Sequence, residues 1–303
     1  MSPRIAELTT VQLPLIRHAE AVGWEVVSKD ASLSKRRGVE GLFHYAELEA
    51  ALLKLNPGVV TADNVQSVIQ ELEAIPSTMQ GNRDMLDWLR GERTIAVPEE
   101  KRRRNVALID FVDVDANTFQ VTYEWEYTPR SRKGNRADVM FLVNGIPVAI
   151  IENKNPKTGD AMDRAVKQFR RYELETSEML ISPQVFNVTH LIDYLYGVTW
   201  NYTRKNIFTW KEKRSESFQE AVQSFFRKPT LLRMLRDSIL FYVKDDELQK
   251  TILRQHQTRA AVKVVERCAD PHKHRGLIWH TQGSGKTFTL ITAARMMLED
   301  RTR

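Results

Sequence analysis

Four successive β-strand patterns between residues 106 and 153 constrain the fold of this chain more than any other feature. They are rich in β-branched and aromatic residues and occupy 106–113, 118–127, 138–143 and 148–153. Asn144-Gly145, between the last two, is a strong signal for a two-residue hairpin turn. The segment 148–151 is apolar throughout, as expected for a central strand that is buried on both faces. The sequence therefore predicts a β-sheet that contains an antiparallel hairpin.

Helical periodicity predicts helices on both sides of this strand region. Before it, 13–22, 45–55 and 64–73 have helical patterns, and Gly23 is placed to end the first of them. After it, 160–176, 215–226 and 231–243 predict helices, with Asp160 as the N-cap of the first, and 185–189 predicts another strand. The predicted fold class is α/β, with a mixed central sheet flanked by helices.

A second unit begins near residue 240, where we place a boundary between domains at 1–240 and 241–303. Residues 246–268 have a helical pattern, and 276–280 predict a short buried strand that enters a Gly-rich turn. A helix predicted at 288–298 follows the turn, which is the strand–loop–helix context of a phosphate-binding loop. Such a loop binds ATP with Mg²⁺, here through Gly283, Ser284, Gly285, Lys286 and Thr287.

Charge and composition restrict the partners and the compartment. The net charge is +6, and basic residues cluster at 101–104 and 130–136, which are interpreted either as solvated loops or as contacts to a polyanion. No stretch of 18 apolar residues occurs, so we expect no membrane span. The single cysteine, Cys268, favours a reducing, cytoplasmic location without disulfides.

Two carboxylates and a lysine fall on the two arms of the predicted hairpin. Asp138 lies on the first arm, whereas Glu152 and Lys154 follow the apolar strand and share one side of the chain. Carboxylate oxygens are preferred ligands of Mg²⁺, which polarises a phosphoryl oxygen and activates a bound water. Lys154 would orient that water or stabilise the charge that builds on phosphorus. This pattern predicts a Mg²⁺ site, held by Asp138 and Glu152, for attack at phosphorus.

The register of the hairpin decides whether the two carboxylates can share a metal. A plain two-residue turn would place Asp138 opposite Ile151, and Glu152 would then point to the other face of the sheet. An offset of one residue, from a three-residue loop or a bulge in one arm, places Asp138 opposite Glu152 instead. We therefore expect the offset register, with both carboxylates in one cleft and Lys154 beside them.

Two further patterns have competing interpretations. Gln168 and Tyr172 are four residues apart on a predicted helix, so they share one face and could aim two hydrogen-bonding groups at the site or at DNA; a half-buried tyrosine on a packed helix is the alternative. Cys268 and the histidines at 272, 274 and 280 could suggest a metal site. No second cysteine completes a zinc set, however, and we interpret 271–275 as a charged loop.

The motifs together resemble the N-terminal nuclease of the restriction subunit of type I restriction–modification enzymes. The resemblance rests on the segments 106–110, 117–119, 136–138, 143–147 and 151–154, and it extends from 10–12 to the end of the chain. It implies a PD-(D/E)xK nuclease domain in which Asp138 and Glu152 bind metal and Lys154 is catalytic. By the same resemblance, Gln168 and Tyr172 support cleavage.

The chain departs from the pattern of this family at two positions. Ala137 stands where a proline usually precedes the first aspartate, which changes backbone stiffness only. An acidic residue is expected on the first helix, and both Glu7 and Glu20 are candidates.

The phosphate-binding loop resembles that of superfamily 2 helicases and translocases, whose motor domains are RecA-like. His280 replaces the first glycine of the general loop pattern, at a position that varies in this class. Gln257 resembles the upstream glutamine that reads adenine in such motors, although an exposed glutamine on an amphipathic helix is the alternative.

The resemblance implies a subunit that joins modification (methyltransferase) and specificity subunits, translocates double-stranded DNA with ATP, and cuts it. We expect the chain to be the N-terminal part of a longer subunit and not to hydrolyse ATP alone, since the acidic motif and arginine finger of a motor do not fit after residue 287. The alternatives are a helicase–nuclease of DNA repair and a DNA-binding coupling module whose nuclease is inactive.

Overall fold

A mixed β-sheet forms the centre of the protein. The computed structural model describes residues 11–97, 100–130, 133–154, 161–189, 193–210, 216–273 and 275–301. The strands are β1 (Glu25–Val27), β2 (Thr94–Val97), β3 (Arg102–Asn105), β4 (Phe119–Tyr127), β5 (Asn135–Val143), β6 (Ile146–Asn153), β7 (Val185–Thr189), β8 (Tyr194–Val198), β9 (Phe208–Thr209), β10 (Ile239–Lys244) and β11 (Glu247–Ile252). Seven of them form one sheet in the order β1-β4-β5-β6-β7-β8-β9, and β2-β3 and β10-β11 form separate hairpins.

The central sheet combines parallel and antiparallel neighbours. β1 pairs with β4 and β6 with β7 in parallel, and the remaining neighbours are antiparallel. β6 is buried at every residue, which explains why its sequence is apolar on both faces. The prediction of a mixed central sheet is therefore confirmed.

Helices cover both faces of the sheet. They are α1 (Leu13–Glu20), α2 (Lys29–Lys35), α3 (Tyr45–Leu55), α4 (Val65–Glu73), α5 (Met79–Leu89), α6 (Ala161–Glu175), α7 (Phe218–Phe226), α8 (Lys228–Arg233), α9 (Gln255–Ala269) and α10 (Lys286–Arg301). One face packs against α1, α3, α4, α5, α7 and α8 in a single large core, and the other packs against α6. In the described part of the chain, no helix is long and apolar enough to cross a membrane.

The hairpin of β5 and β6 has the offset register that the sequence predicts, and a bulge produces it. Asn144 and Gly145 form a two-residue turn with φ of 51° and 77°, and Val143 lies opposite Ile146. The register then shifts beyond Leu142, so that Phe141 pairs with Ala149. Val148 is the extra residue of this bulge, and its carbonyl accepts the Gln184 amide instead. Continued along both arms, the shifted register places Asp138 opposite Glu152.

The strand predicted at 106–113 is wrong, because the described chain is irregular there. Asp110 Oδ1 accepts the amides of Val112 and Asp113, and Asn117 Oδ1 accepts the amide of Asp110. Short polar side chains that bond the local backbone compete with a strand ladder. The regular strand β3 ends just before this segment, at Asn105.

The helices predicted at 231–243 and 246–268 are wrong in part. α8 ends at Arg233 and continues as one π-helical turn, Met234–Ser238, before the chain turns into β10. Asp245 and Asp246 both have positive φ, 53° and 61°, and join β10 to β11 in a two-residue turn. The aromatic and β-branched residues of β10 favour a strand, and the predicted helix begins only at Gln255.

The strand predicted at 276–280 is also absent from the described structure. Leu277 and Trp279 are 86% and 85% exposed, and no described strand lies beside the segment to supply a hydrogen-bonded ladder. A strand pattern of this type needs neighbours on both sides, because its main-chain groups must be paired when it is buried.

A buried lysine ties the hairpin of β10 and β11 to the sheet. The Lys250 ammonium donates to Asn82 Oδ1 at 2.6 Å, to the Gln184 carbonyl at 2.9 Å and to Thr199 Oγ1 at 3.1 Å. Its three N–H bonds are thus matched by three acceptors. Burial lowers the pKa of Lys250 well below its ordinary value. This hairpin therefore packs against α5 and β8 through the polar contacts of a fully buried lysine.

Candidate active site

Two carboxylates on neighbouring strands converge on one cleft. Asp138 is partly exposed on β5, and Glu152 is 1% exposed at the end of β6. Both line a cleft of about 590 Å³. The bulge at Val148 makes this possible, since directly opposed residues of antiparallel strands share a face of the sheet. The predicted convergence of the two carboxylates is therefore confirmed.

Lys154 lies beside Glu152, as the sequence predicts. Its ammonium is 2.9 Å from Glu152 Oε2, and its amide donates to the Thr189 carbonyl at 2.9 Å, which continues the pairing of β6 with β7. The Lys154 side chain is 16% exposed. A largely buried cation next to a buried carboxylate lowers the cost of keeping that carboxylate charged.

The backbone and α1 fix the position of Asp138. Its Oδ2 accepts the amide of Asn153 at 2.8 Å, across the hairpin. The carboxamide of Gln12, at the start of α1, donates to the main-chain carbonyl of Asp138 at 2.8 Å. Nothing in the periodicity of the sequence indicated this contact, because it joins residues that are 126 positions apart.

Tyr172 and Gln168 approach Glu152 from α6. The Tyr172 hydroxyl is 2.6 Å from Glu152 Oε1 and 2.7 Å from the carbonyl of Arg136, and Gln168 Nε2 donates to that hydroxyl at 2.8 Å. A phenol has a single proton, so its two acceptors share one donor. Tyr172 is fully buried, so it acts on Glu152 and is not placed to contact a substrate.

The environment of Tyr172 keeps its proton in place. Burial, followed by the negative charge of Glu152 and the hydrogen bond to it, raises the pKa of Tyr172 well above its ordinary value. The hydroxyl therefore remains a hydrogen-bond donor at neutral pH. The half-buried interpretation of this tyrosine is wrong: the residue is buried and directed at the site.

The donor set fits a magnesium ion held by two protein side chains. Two carboxylates offer oxygen ligands, and Mg²⁺ in proteins is usually held by one or two carboxylates while it keeps several waters. In the described residues, no three or more histidine, cysteine or acidic side chains are grouped to hold a metal. Of the two candidates for a third acid, Glu20 is exposed at the far end of α1 and does not line the described cleft, and Glu7 lies outside the described residues.

The two basic runs lie in different environments. Residues of the run at 101–104 lie on β3 and the turn before it, where Arg102 and Arg104 contact Glu100 on the protein surface. In the run at 130–136, Arg130 contacts Glu40, whereas Lys133 and Arg136 line the cleft. Residue 132 lies outside the described residues. The charged residues around the cleft are Glu126, Lys133, Arg136, Asp138, Glu152, Lys154 and Arg171, so cations exceed anions by one.

The predicted phosphate-binding loop has the backbone of a tight turn into a helix. Gly283 and Gly285 have φ of 75° and 78°, a conformation that glycine adopts readily. α10 begins at Lys286, and both Lys286 and Thr287 are exposed. Unpaired N–H groups at a helix start attract phosphate, so the described loop fits a nucleotide phosphate.

Gln257 lies against this loop. Its Nε2 donates to the carbonyls of Ser284 and Gly285 at 2.8 and 3.1 Å, and its Oε1 accepts the amide of Arg254 at 2.7 Å. The exposed-glutamine interpretation is wrong, because Gln257 is 4% exposed. Both ends of the side chain are paired within the protein, so reading adenine would require these bonds to be exchanged.

Comparisons with known proteins find two family models that match this chain. A family model described as type I restriction enzyme R protein N terminus matches residues 4–216, and one described as SWI2/SNF2 ATPase matches residues 256–303. A putative type I restriction enzyme MjaVIIP endonuclease subunit of Methanocaldococcus jannaschii is 30% identical over 231 residues, which are 71% of this chain and 21% of that protein.

Two further relatives carry related names. The type I restriction enzyme HindI endonuclease subunit of Haemophilus influenzae is 25% identical over 310 residues, 93% of this chain and 29% of that protein. The type I restriction enzyme SsaAORF53P endonuclease subunit of Staphylococcus saprophyticus is 24% identical over 259 residues, 78% of this chain and 27% of that protein. The chain thus spans less than a third of the length of these relatives.

Proposed function

The chain belongs to the family of type I restriction enzyme R protein N termini, and from this premise we propose that residues 1–240 form a nuclease of the PD-(D/E)xK class that hydrolyses phosphodiester bonds of double-stranded DNA with Mg²⁺. One observation carries the proposal: the bulged hairpin brings Asp138 and Glu152 to one cleft with Lys154 beside them. A catalytic role requires this arrangement, and a plain hairpin would not produce it.

Five residues in or beside the cleft have chemical tasks in this proposal. Asp138 and Glu152 would hold Mg²⁺, which when bound polarises a phosphoryl oxygen and lowers the pKa of a water. Lys154 lies where its ammonium can orient the attacking water or stabilise the negative charge that develops on the phosphoryl oxygens. Tyr172 and Gln168 fix the orientation of Glu152 through the chain of hydrogen bonds from α6, so they support cleavage as positioning residues.

We further propose that residues 241–303 open a RecA-like motor that uses ATP with Mg²⁺ to translocate DNA. The match of 256–303 to an ATPase family and the turn at Gly283 and Gly285 support this step. In the complete protein, Gly283, Ser284, Gly285, Lys286 and Thr287 would bind the phosphates and the metal. The hairpin of β10 and β11 spans the boundary near residue 240 and would join the two units.

The names of the relatives support the assembly that we propose. They are endonuclease subunits of type I restriction enzymes, so the complete protein would join modification and specificity subunits on double-stranded DNA in the cytoplasm. The specificity subunit would choose the target sequence, and the nuclease cleft would contact the DNA backbone.

Substitution of the cleft residues in the full-length protein tests the proposal. Glu152→Ala and Lys154→Ala should each abolish cleavage of plasmid DNA in the assembled enzyme, whereas ATP hydrolysis and translocation should continue because they use a separate site. Circular dichroism and thermal unfolding would check that the variants fold. A folded Glu152→Ala protein that cuts DNA at the wild-type rate would refute the nuclease assignment. A wild type that translocates but does not cut would indicate a coupling module.

A further inference from the structure

Glu124 has an unusual backbone conformation in the middle of β4. Its φ is +52°, a left-handed conformation that residues other than glycine and asparagine seldom adopt. Tyr123 pairs with Val139 and Trp125 with Ala137, so Glu124 on β4 lies opposite Asp138 on β5. Strained backbone of this kind clusters at functional sites, where the surrounding structure holds it in place. Glu124 therefore warrants a functional explanation.

The carboxylate of Glu124 contacts Arg136. The Arg136 guanidinium donates to Glu124 Oε1 at 2.8 Å, and the Lys29 ammonium lies 3.7 Å from the other oxygen. Lys29 also contacts Glu126 at 2.6 Å. Arg136 and Asp138 are two residues apart on β5, so their side chains share one face and their Cα atoms are separated by about 6.6 Å along the strand. The unusual conformation of Glu124 thus fixes a cation beside the carboxylates.

Arg136 has capacity for another ligand. A guanidinium has five N–H donors, and in the described part of the chain one of them is bonded, to Glu124. The side chain is 26% exposed and lines the cleft. Its main-chain carbonyl accepts the Tyr172 hydroxyl, which anchors the residue to the same network as Glu152. Guanidinium groups bind phosphate through paired, charge-assisted hydrogen bonds.

We propose that Arg136 binds a backbone phosphate of the DNA strand held at Asp138 and Glu152, and that Glu124 positions Arg136 for this contact. The inference rests on the proposed nuclease function and adds a substrate contact to it. Glu124 orients the guanidinium through one N–H, and the remaining donors are available to the phosphate in the cleft. The positively charged contact compensates the repulsion between DNA and the two carboxylates.

DNA binding without metal tests the contact. Binding of a short duplex to the full-length protein is measured by fluorescence anisotropy in EDTA at several salt concentrations. Arg136→Ala should weaken binding and lower the log–log salt slope by about 0.9, the value for one phosphate contact. Arg83→Ala, which removes an exposed cation from α5 outside the cleft, is the control and should leave the slope unchanged. A folded Arg136→Ala protein with the wild-type slope would overturn the proposal.

Substitution of Arg136 by lysine separates charge from geometry. Arg136→Lys keeps the positive charge, so the salt slope should stay close to that of the wild type. Single-turnover cleavage should nevertheless fall by about 10- to 100-fold, because an ammonium cannot form the planar pair of hydrogen bonds that aligns the phosphate. Wild-type cleavage by this variant would contradict the positioning that we propose.

Variants of Glu124 test the positioning role. Glu124→Gln removes the charge, so DNA affinity in EDTA should equal or exceed that of the wild type, whereas single-turnover cleavage should fall by about 10- to 100-fold. Asparagine tolerates the left-handed backbone, so Glu124→Asn removes the carboxylate without adding strain. It should show the same reduction, which would exclude backbone strain as the cause. Wild-type cleavage by Glu124→Asn, or weakened binding by Glu124→Gln, would overturn the role. If the wild type itself showed no Mg²⁺-dependent cleavage, the proposed function would fail, and the salt slope would still decide the contact of Arg136.

Discussion

Removal of the Tyr172 hydroxyl measures how much the hydrogen bond from α6 to Glu152 contributes to DNA cleavage. Tyr172→Phe keeps the buried ring and removes the donor that lies 2.6 Å from Glu152 Oε1. A hydrogen bond to a charged group contributes about 1.5–3 kcal/mol, and each 1.36 kcal/mol corresponds to a factor of ten in rate. If the bond serves mainly to orient Glu152, single-turnover DNA cleavage by the full-length protein should fall by about 10- to 150-fold. DNA affinity in EDTA should stay unchanged, because the hydroxyl does not reach the cleft.

A matched control is available on the other face of the sheet. Tyr194 is also fully buried, but its hydroxyl has no hydrogen-bond partner in the described part of the chain. Tyr194→Phe should therefore leave cleavage unchanged and should not lower the free energy of unfolding. Tyr172→Phe cleaving within twofold of the wild type, with normal stability, would show that Glu152 is held without α6.

Three further predictions concern charge and stability. Neutralising the exposed run at 101–104 should lower the salt slope of DNA binding by about 0.9 for each DNA phosphate that the run binds, and an unchanged slope would identify a solvated hairpin. Asn82→Ala removes an acceptor of the buried Lys250 ammonium, so urea denaturation should show a decrease of about 3 kcal/mol in the free energy of unfolding; a decrease below about 1 kcal/mol would contradict it. Burial raises the pKa of Glu173 to about 7, so the folded state binds more protons than the unfolded state between pH about 4.5 and about 7. Unfolding free energy should fall across that window as pH rises, and Glu173→Gln should remove that fall.

The sequence predicted the centre of the sheet because its signals there are local. The Asn144-Gly145 turn and the apolar segment at 148–151 identify β5 and β6 without reference to the rest of the chain. The requirement that two carboxylates face one another then predicts the offset register. It does not determine where the extra residue sits, since a three-residue loop satisfies the same condition. The structure places it at Val148, where the carbonyl finds a partner outside the hairpin.

Contacts between residues that are far apart in the sequence could not be predicted from local patterns. Gln12 reaches Asp138, and Glu124 holds Arg136, only because the fold joins α1, β4 and β5. Short or polar elements were missed for a related reason: β1 has three residues, and its pairing with β4 is a tertiary contact. Between β10 and β11 the turn is Asp245-Asp246, which lacks the glycine that marks a hairpin of this type. Without that glycine, the helical periodicity at 231–243 predicted a single helix in place of the strand β10.

The bulge at Val148 shows how one residue can serve both the core and the cleft. On the turn side of the bulge, Val143 pairs with Ile146, and the two-residue turn fits the twist of the strands without strain. Beyond the bulge, the extra residue changes the face of the sheet to which each side chain of β6 points, relative to its neighbours on β5. Ile151 then lies opposite Val139 in the core, and Glu152 points into the cleft on the opposite face. Without the extra residue, the same turn would direct Ile151 toward the cleft and bury Glu152 among apolar side chains. The hydrophobic pattern of β6 and the carboxylates of the cleft therefore favour the same register, which explains why a strand that is buried at every residue accommodates one residue without a partner on β5.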